Sequence, residues 1–561
     1  MSVHLSNFLS NPWMVFLTIN LVLLLIFTFL NLDNFRKLFT DVSKRTWIVL
    51  GLVFLFGFAL FNQFYFFGTH TDGYNFIEAS KGILETGHYF YRCDAGAVGN
   101  CLSYSKHTSP PGASFLISLV FLAVGGINSY YALALSGILM SLSVVLVFLV
   151  SYLAFERERL ALYASFIYST IPVLVLWAGT GHMRPFGLFF VLLSLLSFLS
   201  AVRLDDKRMW LLTVFSTSFA VYILKAFLLL IPLYLLFFAW KKRGDLEEHL
   251  MPDRLNEYSM TAGIATLMFL PILKWMLVYE PTMMWENPKF SLEYLVPQGL
   301  GLLLMYFGEL TYPLLSTRYY IPIISLLAFG YFLYVSRKRN AEYFLIGGIF
   351  LSLFLVYSTY LIHGFHSMDQ TYSLDPLRVF IPKDFIRHAI ALTPFYAIMA
   401  AFSLSKIEEA IDKVVPRSRH LAPVVLVLLV AISGLSLPNG LFQDRRASGP
   451  LNQEKFELVN MTPDDAFIIS SDHLIVQSDA LRNNSRESLD IWRYNGLKDE
   501  MYTLLDRHPD TSYVMMQGCD RRRFRKFCQE IKKNYSLEPV AERRSISLYH
   551  LVKDSRRSNA S

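Results

Sequence analysis

The chain has 561 residues, of which 54% are hydrophobic and 15% aromatic but only 17% charged, and it carries a formal net charge of +7. That much apolar surface, with a mean hydropathy of +0.39, excludes a water-soluble globule of this size and makes the chain a polytopic membrane protein. The basic residues gather in short loops and in runs such as RRRFRK at 521–526, with no nucleic-acid-binding fold signature, so a nucleic-acid partner is excluded.

In chain order, apolar runs near the ~20 residues needed to cross a bilayer occupy 13–32, 46–67, 129–154, 160–179, 185–203, 209–224, 226–240, 258–279, 317–335, 341–362, 388–404 and 421–438. They predict about twelve transmembrane helices. The run at 13–32 is kept as a span because no Lys or Arg precedes it and no small-residue cleavage site follows. PPGASFLISLVFLAVGG at 110–126 and GLGLLLMYFGEL at 299–310 are too short to cross and are read as helices at, or dipping into, the outer interface.

Alternate loops differ in charge. The set 33–45, 155–159, 203–208, 241–257, 336–340 and 405–420 holds 20 Lys and Arg, and the other set holds 10 over much more chain. The first set is therefore expected in the cytoplasm and the second outside, in a multi-pass protein of the plasma membrane. Residues 1–440 then form the transmembrane domain, with a large first outer loop at 68–128, and 441–561 a small extracytoplasmic domain. Its β-rich runs at 466–470, 512–516 and 545–552 alternate with helical stretches at 497–507 and 520–534, the pattern of an α/β fold. All four cysteines fall in outer segments, where Cys93 with Cys101 and Cys519 with Cys528 are each spaced to close a small disulfide loop; four unpaired thiols are the alternative. Four Asn-x-Ser/Thr sequons, at Asn460, Asn483, Asn534 and Asn559, all lie in this last region.

The outer segments also hold the polar chemistry. Asp72, Glu78 and Glu85 lie in the first loop, His107 stands before Pro110-Pro111, and His182 and Arg184 mark one span junction. Lys225 marks another, and Arg387 and His388 open the eleventh span. Acid, imidazole and cation on one side suit group transfer from a phosphate leaving group. A sugar linked through its anomeric carbon to a lipid phosphate needs no general acid, only positive charge for the phosphate it leaves. Lys225 and Arg387 are the candidates for that charge. The acceptor hydroxyl needs a base, and Asp72 is the candidate; attack opposite the phosphate inverts the anomeric centre. Each residue has a structural reading too. Asp72 would cap a helix over 73–85 that stops at Gly87, and Lys225, Arg184, Arg387 and the histidines would anchor span ends at the headgroups. His70 and Asp72 form an H-x-D pair without a third ligand, so no metal and no resident cofactor are expected.

The order of Asp72, Tyr74, Ala79, Gly82, Gly87 and Tyr89, followed by HTSPPGASFLISLVFLAVGG (107–126), ILKAFLLLIPL (223–233) and RHAIALTPFYAIMAAFSL (387–404), resembles the GT-C superfamily of membrane glycosyltransferases. Within it the protein O-mannosyltransferases and aminoarabinose transferases are most similar. The resemblance covers residues 46–404. It implies a GT-C fold, a polyprenyl-phosphate sugar as donor, Asp72 as base and Lys225 and Arg387 on the donor phosphate, with Arg184 beside them. Glu78, His107, His182 and His388 are then substrate-binding candidates. Leu224 and Ala226 stand where the family's turn has Thr and Gly, and His388 replaces its Tyr. GHMRPFG at 181–187 stands where many relatives carry a second acid. The acceptor is left as a protein, a glycan or a lipid. Two other functions compete: an oligosaccharyltransferase, whose Trp-Trp-Asp-Tyr-Gly type of motif is absent, and a lipid-linked sugar flippase or transporter, for which an internal repeat is missing.

Overall fold

The computed structural model describes residues 5–62, 71–87, 110–243, 252–279, 320–335, 341–366, 390–414, 454–471, 486–491, 498–519, 524–543 and 546–553, with a few isolated positions. His107, Arg387, His388, Cys93, Cys101 and the 299–310 segment lie outside these residues, as does nearly all of the expected span at 421–438.

The first part of the chain is helical: α1 (Leu5–Ser10), α2 (Pro12–Leu30), α3 (Leu32–Leu38), α4 (Lys44–Asn62), α5 (Thr71–Thr86), α6 (Gly112–Val124), α7 (Ser129–Phe155), α8 (Glu158–Thr170) and α9 (Pro172–Trp177). After them come α10 (Met183–Leu204), α11 (Lys207–Ile223), a 3-10 turn (Lys225–Leu229), α12 (Leu230–Lys241), α13 (Pro252–Tyr279), α14 (Tyr320–Val335), α15 (Ala341–His366), a second 3-10 turn (Ile390–Leu392) and α16 (Thr393–Val414). Among the described residues five helices are long and apolar enough to cross a membrane: Pro12–Leu30, Lys44–Asn62, Ser129–Phe155, Met183–Leu204 and Ile390–Val414. The protein is a multi-pass membrane protein.

Helix α10 forms the centre, packed on α7 and α11. Its first residues through Val202 are buried almost throughout, whereas α2 and α4 turn Ile19, Leu25, Phe29, Ile48 and Leu52 outward. Small hydroxyl residues let the central helices approach closely. Ser194 bonds both Thr217 at 2.5 Å and the Tyr234 hydroxyl at 3.1 Å, which ties α10, α11 and α12 together.

Two expected elements differ. The run at 160–179 is not one helix: Pro172 supplies no backbone N–H, Ile171 before it is extended (ψ 118°), and the chain breaks into α8 and α9 there. The segment at 110–126 is a helix of 13 residues, with Gly125 as its left-handed stop (φ 75°). Its first two turns are buried among neighbouring helices, a fuller burial against protein than a helix lying flat on a surface has.

The loops divide into two ends. At one, Glu158 accepts from the Ser43 N–H and hydroxyl at 2.8 Å and from Thr46, and Arg157 pairs with Glu409. There too Arg159 and the Tyr163 hydroxyl meet Glu408 at 2.8 and 3.1 Å, while Arg203 pairs with Glu156 and Lys241 with Glu342 at 2.5 Å. These residues come from the basic loops and the helix ends beside them. The turns at 87, 110–112, 178–184, 223–229 and 390–392 gather at the other end, described below.

The C-terminal region is a separate five-stranded sheet in the order β2-β1-β3-β5-β4, with β1 (Phe467–Ser470), β2 (Glu487–Asp490), β3 (Ser512–Met516), β4 (Tyr535–Arg543) and β5 (Ile546–Lys553). β2 and β3 run parallel to β1, and β5 runs antiparallel to β3. Helices Lys498–Arg507 and Arg525–Ile531 accompany them, so the α/β character expected from sequence is present. Cys519 and Cys528 are joined in a disulfide.

Candidate functional site

Asp72 stands in the first turn of α5, which begins at Thr71, two residues before the start that a cap at Asp72 would require. An acid there suits the partial positive charge of a helix start. Four residues further along α5, the fully buried Phe76 ring meets His182 edge-on at 5.8 Å. Trp177 also meets that imidazole edge-on, at 5.4 Å. His182 caps α10: its Nδ1 accepts the Arg184 N–H at 3.2 Å, and its Nε2 lies 3.4 Å from Arg184 Nη1. His182 and Arg184 are buried, at 1% and 3% exposure, on a junction where charged side chains need a protein surround. The structure therefore brings His182 and Arg184 against the helix that carries Asp72.

Helices α5 and α6 are stitched by serines. The Ser80 hydroxyl donates to the Ser114 carbonyl at 2.9 Å, and the Ser114 hydroxyl donates to the Phe76 carbonyl at 3.1 Å. Tyr89 donates to the Pro110 carbonyl at 3.3 Å. Gly112, at the head of α6, lies so close to α11 that an added Cβ would sit 2.5 Å from the Tyr222 carbonyl oxygen. Gly187 plays the same part on α10, where a Cβ would fall 3.0 Å from the Phe227 ring of the Lys225 turn. The turn at 390–392, just after Arg387 and His388, packs on α10 as well. Thus the four sequence motifs, far apart in the chain, meet around the first turns of α10.

Glu78 is buried on α5, at 7% exposure. Burial pushes its carboxyl above the usual carboxylate range; Lys81 pulls it down and Glu85 pushes it further up. Lys225 is half-buried at the head of its turn. Among the described residues no three His, Cys, Asp or Glu side chains cluster as metal ligands. Sequence reasoning missed the serine ladder, Trp177 and Gly187. The first leaves no periodic signal, but the glycine of GHMRPFG at a helix start was a readable cue for close approach.

Short helices and turns gathered at one end of a membrane bundle hold the buried Glu78, His182 and Arg184 side chains. Residues 108–275 match the family model described as dolichyl-phosphate-mannose-protein mannosyltransferase. That stretch is less than a third of the chain, and it takes in the 223–233 segment and nearly all of the 107–126 segment, two of those that resemble the GT-C glycosyltransferases. No curated protein matches the chain. Solved structures with some likeness include the Archaeoglobus fulgidus oligosaccharyltransferase in complex with Zn and sulfate (12% identity, 90% of this chain and 73% of that one, TM-score 0.48). Another is the same organism's oligosaccharyltransferase AglB with an inhibitory peptide and a dolichol-phosphate (11% identity, 92% and 75%, TM-score 0.47). At these scores neither bears on the site.

Proposed function

We propose that this protein moves one sugar from a polyprenyl-phosphate donor to an acceptor on the extracytoplasmic face, inverting the anomeric centre, with Asp72 as base. The observation that carries the reading is the convergence of α5, the 182–184 junction, Gly112 and the Lys225 turn at one bundle end. That end belongs to the loops poor in Lys and Arg, which supports an outward site in a plasma-membrane protein of about twelve GT-C-type spans. Residues 1–440 form the catalytic domain in this reading, and 441–561 an extracytoplasmic domain in which the 519–528 disulfide fits an oxidising compartment.

Lys225, Arg387 and Arg184 hold the donor phosphate and take up the charge that grows as the glycosidic bond breaks. Asp72 receives the acceptor's proton as its oxygen bonds to the anomeric carbon. Glu78, His107, His182 and His388 contact sugar or acceptor. An apolar cavity of about 500 Å³ between α10, α11, α12 and α13, lined by Phe198, Trp210, Thr217, Ile231, Tyr234 and Phe269, begins on the helix that follows the Lys225 turn and suits a prenyl chain hanging from that phosphate. A protein acceptor agrees with the family description, and no resident metal is invoked.

The test reconstitutes the full chain with radiolabelled polyprenyl-phosphate sugars and membrane extract. Asp72→Asn is expected to lower kcat by about 10²–10⁴, and Lys225→Ala to raise the donor KM. Undiminished transfer by Asp72→Asn refutes the base. Sugar crossing the bilayer with no new glycosidic product points to a transporter instead.

A further inference from the structure

The stretch that resembles the glycosyltransferases begins at residue 46, yet α1 and α2, ahead of it, are built into the site. The amide nitrogen of Asn7 donates to the Leu84 carbonyl at 3.1 Å and to the Glu85 carbonyl at 2.7 Å, and that of Asn11 donates to the Gly87 carbonyl at 3.0 Å. These acceptors lie at the carboxyl end of α5, where helix carbonyls have no partner within the helix. Leu84 and Gly87 are buried, so water is a poor substitute. Gly87 is in the left-handed region (φ +76°), and any Cβ there would run into the Ser10 hydroxyl and the Asn7 carbonyl. The chain therefore leaves α5 against α1 at a distance that only glycine allows.

The same segment reaches the other half of the site. Phe8, buried, stacks on Phe115 of α6 with ring centres 5.9 Å apart. Trp13 and Phe16 bracket the Tyr222 ring at 6.0 and 5.4 Å, just ahead of the Lys225 turn. Asn20 donates to the Ser218 hydroxyl at 3.0 Å across α2 and α11.

We infer that α1 and the start of α2 form a clamp that fixes the base-bearing helix α5 relative to the Lys225 turn, with Asn7 and Asn11 as positioning residues. The inference rests on the reading of Asp72 as base. The two amides act through α5 and touch no substrate, so their loss lets α5 slide or fray while the donor still finds its phosphate site.

The experiment uses the full chain in lipid nanodiscs. Asn7→Asp with Asn11→Asp keeps side-chain shape but replaces amide donors by carboxylate oxygens, which cannot donate to a carbonyl. Amide hydrogen exchange over residues 80–87 is expected to quicken by about tenfold or more, since each lost bond is worth a factor of about five, while exchange in the centre of α10 stays as in wild type. Transfer kcat is expected to fall by about tenfold with donor KM within about twofold. Asn11→Ser alone, which removes one bond, covers the case in which the double variant does not fold; a fivefold rise in exchange over the same residues, within a factor of about two, is expected. Unchanged exchange over 80–87 overturns the clamp, and faster exchange with unchanged kcat overturns its positioning role. Asp72→Asn, assayed alongside for transfer, tests the base without bearing on the exchange result.

Discussion

Replacing Gly112 by alanine tests how tightly the site is assembled. The new methyl would lie 2.5 Å from the Tyr222 carbonyl oxygen and 2.8 Å from both the Tyr222 carbonyl carbon and Ile223 Cγ1. Neither main-chain atom can yield: Tyr222 is held by Trp13 and Phe16, and its hydroxyl donates to the Met268 carbonyl at 3.0 Å. α6 must therefore back away from α11 by about 0.5 Å before the contact becomes tolerable. Overpacking of this kind costs about 1–3 kcal/mol, against which alanine's better helix propensity returns less than ~1 kcal/mol. A net loss of about 1–2 kcal/mol is expected, together with a kcat reduced by about tenfold or more, because α6 is stitched to α5 and a shift of ~1 Å near reacting groups costs up to about 10². Thermal unfolding and transfer kinetics in one lipid system measure both. Gly51→Ala is the control, since nothing lies within 4 Å of a Cβ there, and it is expected to be neutral or stabilising. Gly112→Ala as stable and as active as Gly51→Ala would refute the close approach of α6 to the end of α11.

Three further outcomes follow from individual contacts. Because burial raises the Glu78 carboxyl above its ordinary 4.5, the folded protein binds more protons than the unfolded chain above that pH, so Glu78 contributes stability at low pH that is lost as pH rises through the raised value. Glu78→Gln is therefore expected to be more stable than wild type at pH 7 to 8 and to converge with it below about pH 4.5; thermal scans showing a constant gap across pH would contradict this. Removing the Cys519–Cys528 link, whose partners are 9 residues apart, is expected to cost the sheet domain about 2–3 kcal/mol, read by proteolysis of that region in the intact chain. Glu158→Ala removes the acceptor shared by Ser43 and Thr46 at the start of α4 and is expected to cost about 1–2 kcal/mol with little change in donor KM; a tenfold change in KM would show that this end of the bundle is coupled to the site.

Elements defined by one long signal were legible. The apolar runs gave α2, α4, α7 and α10 within a few residues, and β1, β3 and β5 appeared where β-branched and aromatic residues cluster. β2 (ESLD) and β4 (YSLEPVAER) were not foreseen. Both are edge strands with polar faces, and β4 carries Pro539 at a register shift, a residue that argues against a central strand. Pro172 did signal the break after Ile171, but average hydropathy over 160–179 outvoted it. For the site, residue types could be listed from sequence, yet their meeting could not: Phe76 on His182, Gly112 on Tyr222 and Gly187 on Phe227 are contacts between segments whose separation no local pattern encodes.

The same contacts bear on the plainest alternative for Lys225, that it merely anchors two short helices among headgroups. An anchoring lysine sits where its helix faces lipid and needs nothing from neighbouring backbone. Lys225 instead opens a 3-10 turn between α11 and α12, and that turn packs on α11 and α15 and meets α10 through Phe227. Irregular backbone within a membrane bundle is tolerated when protein surrounds it or when it lines a cavity. Glycine at 187 makes room for the turn, glycine at 112 brings α6 up to the end of α11, and Trp13 with Phe16 fixes the residue ahead of it. A headgroup anchor needs none of these arrangements, whereas the proposed donor site, with its cation held at a set place, would use all of them.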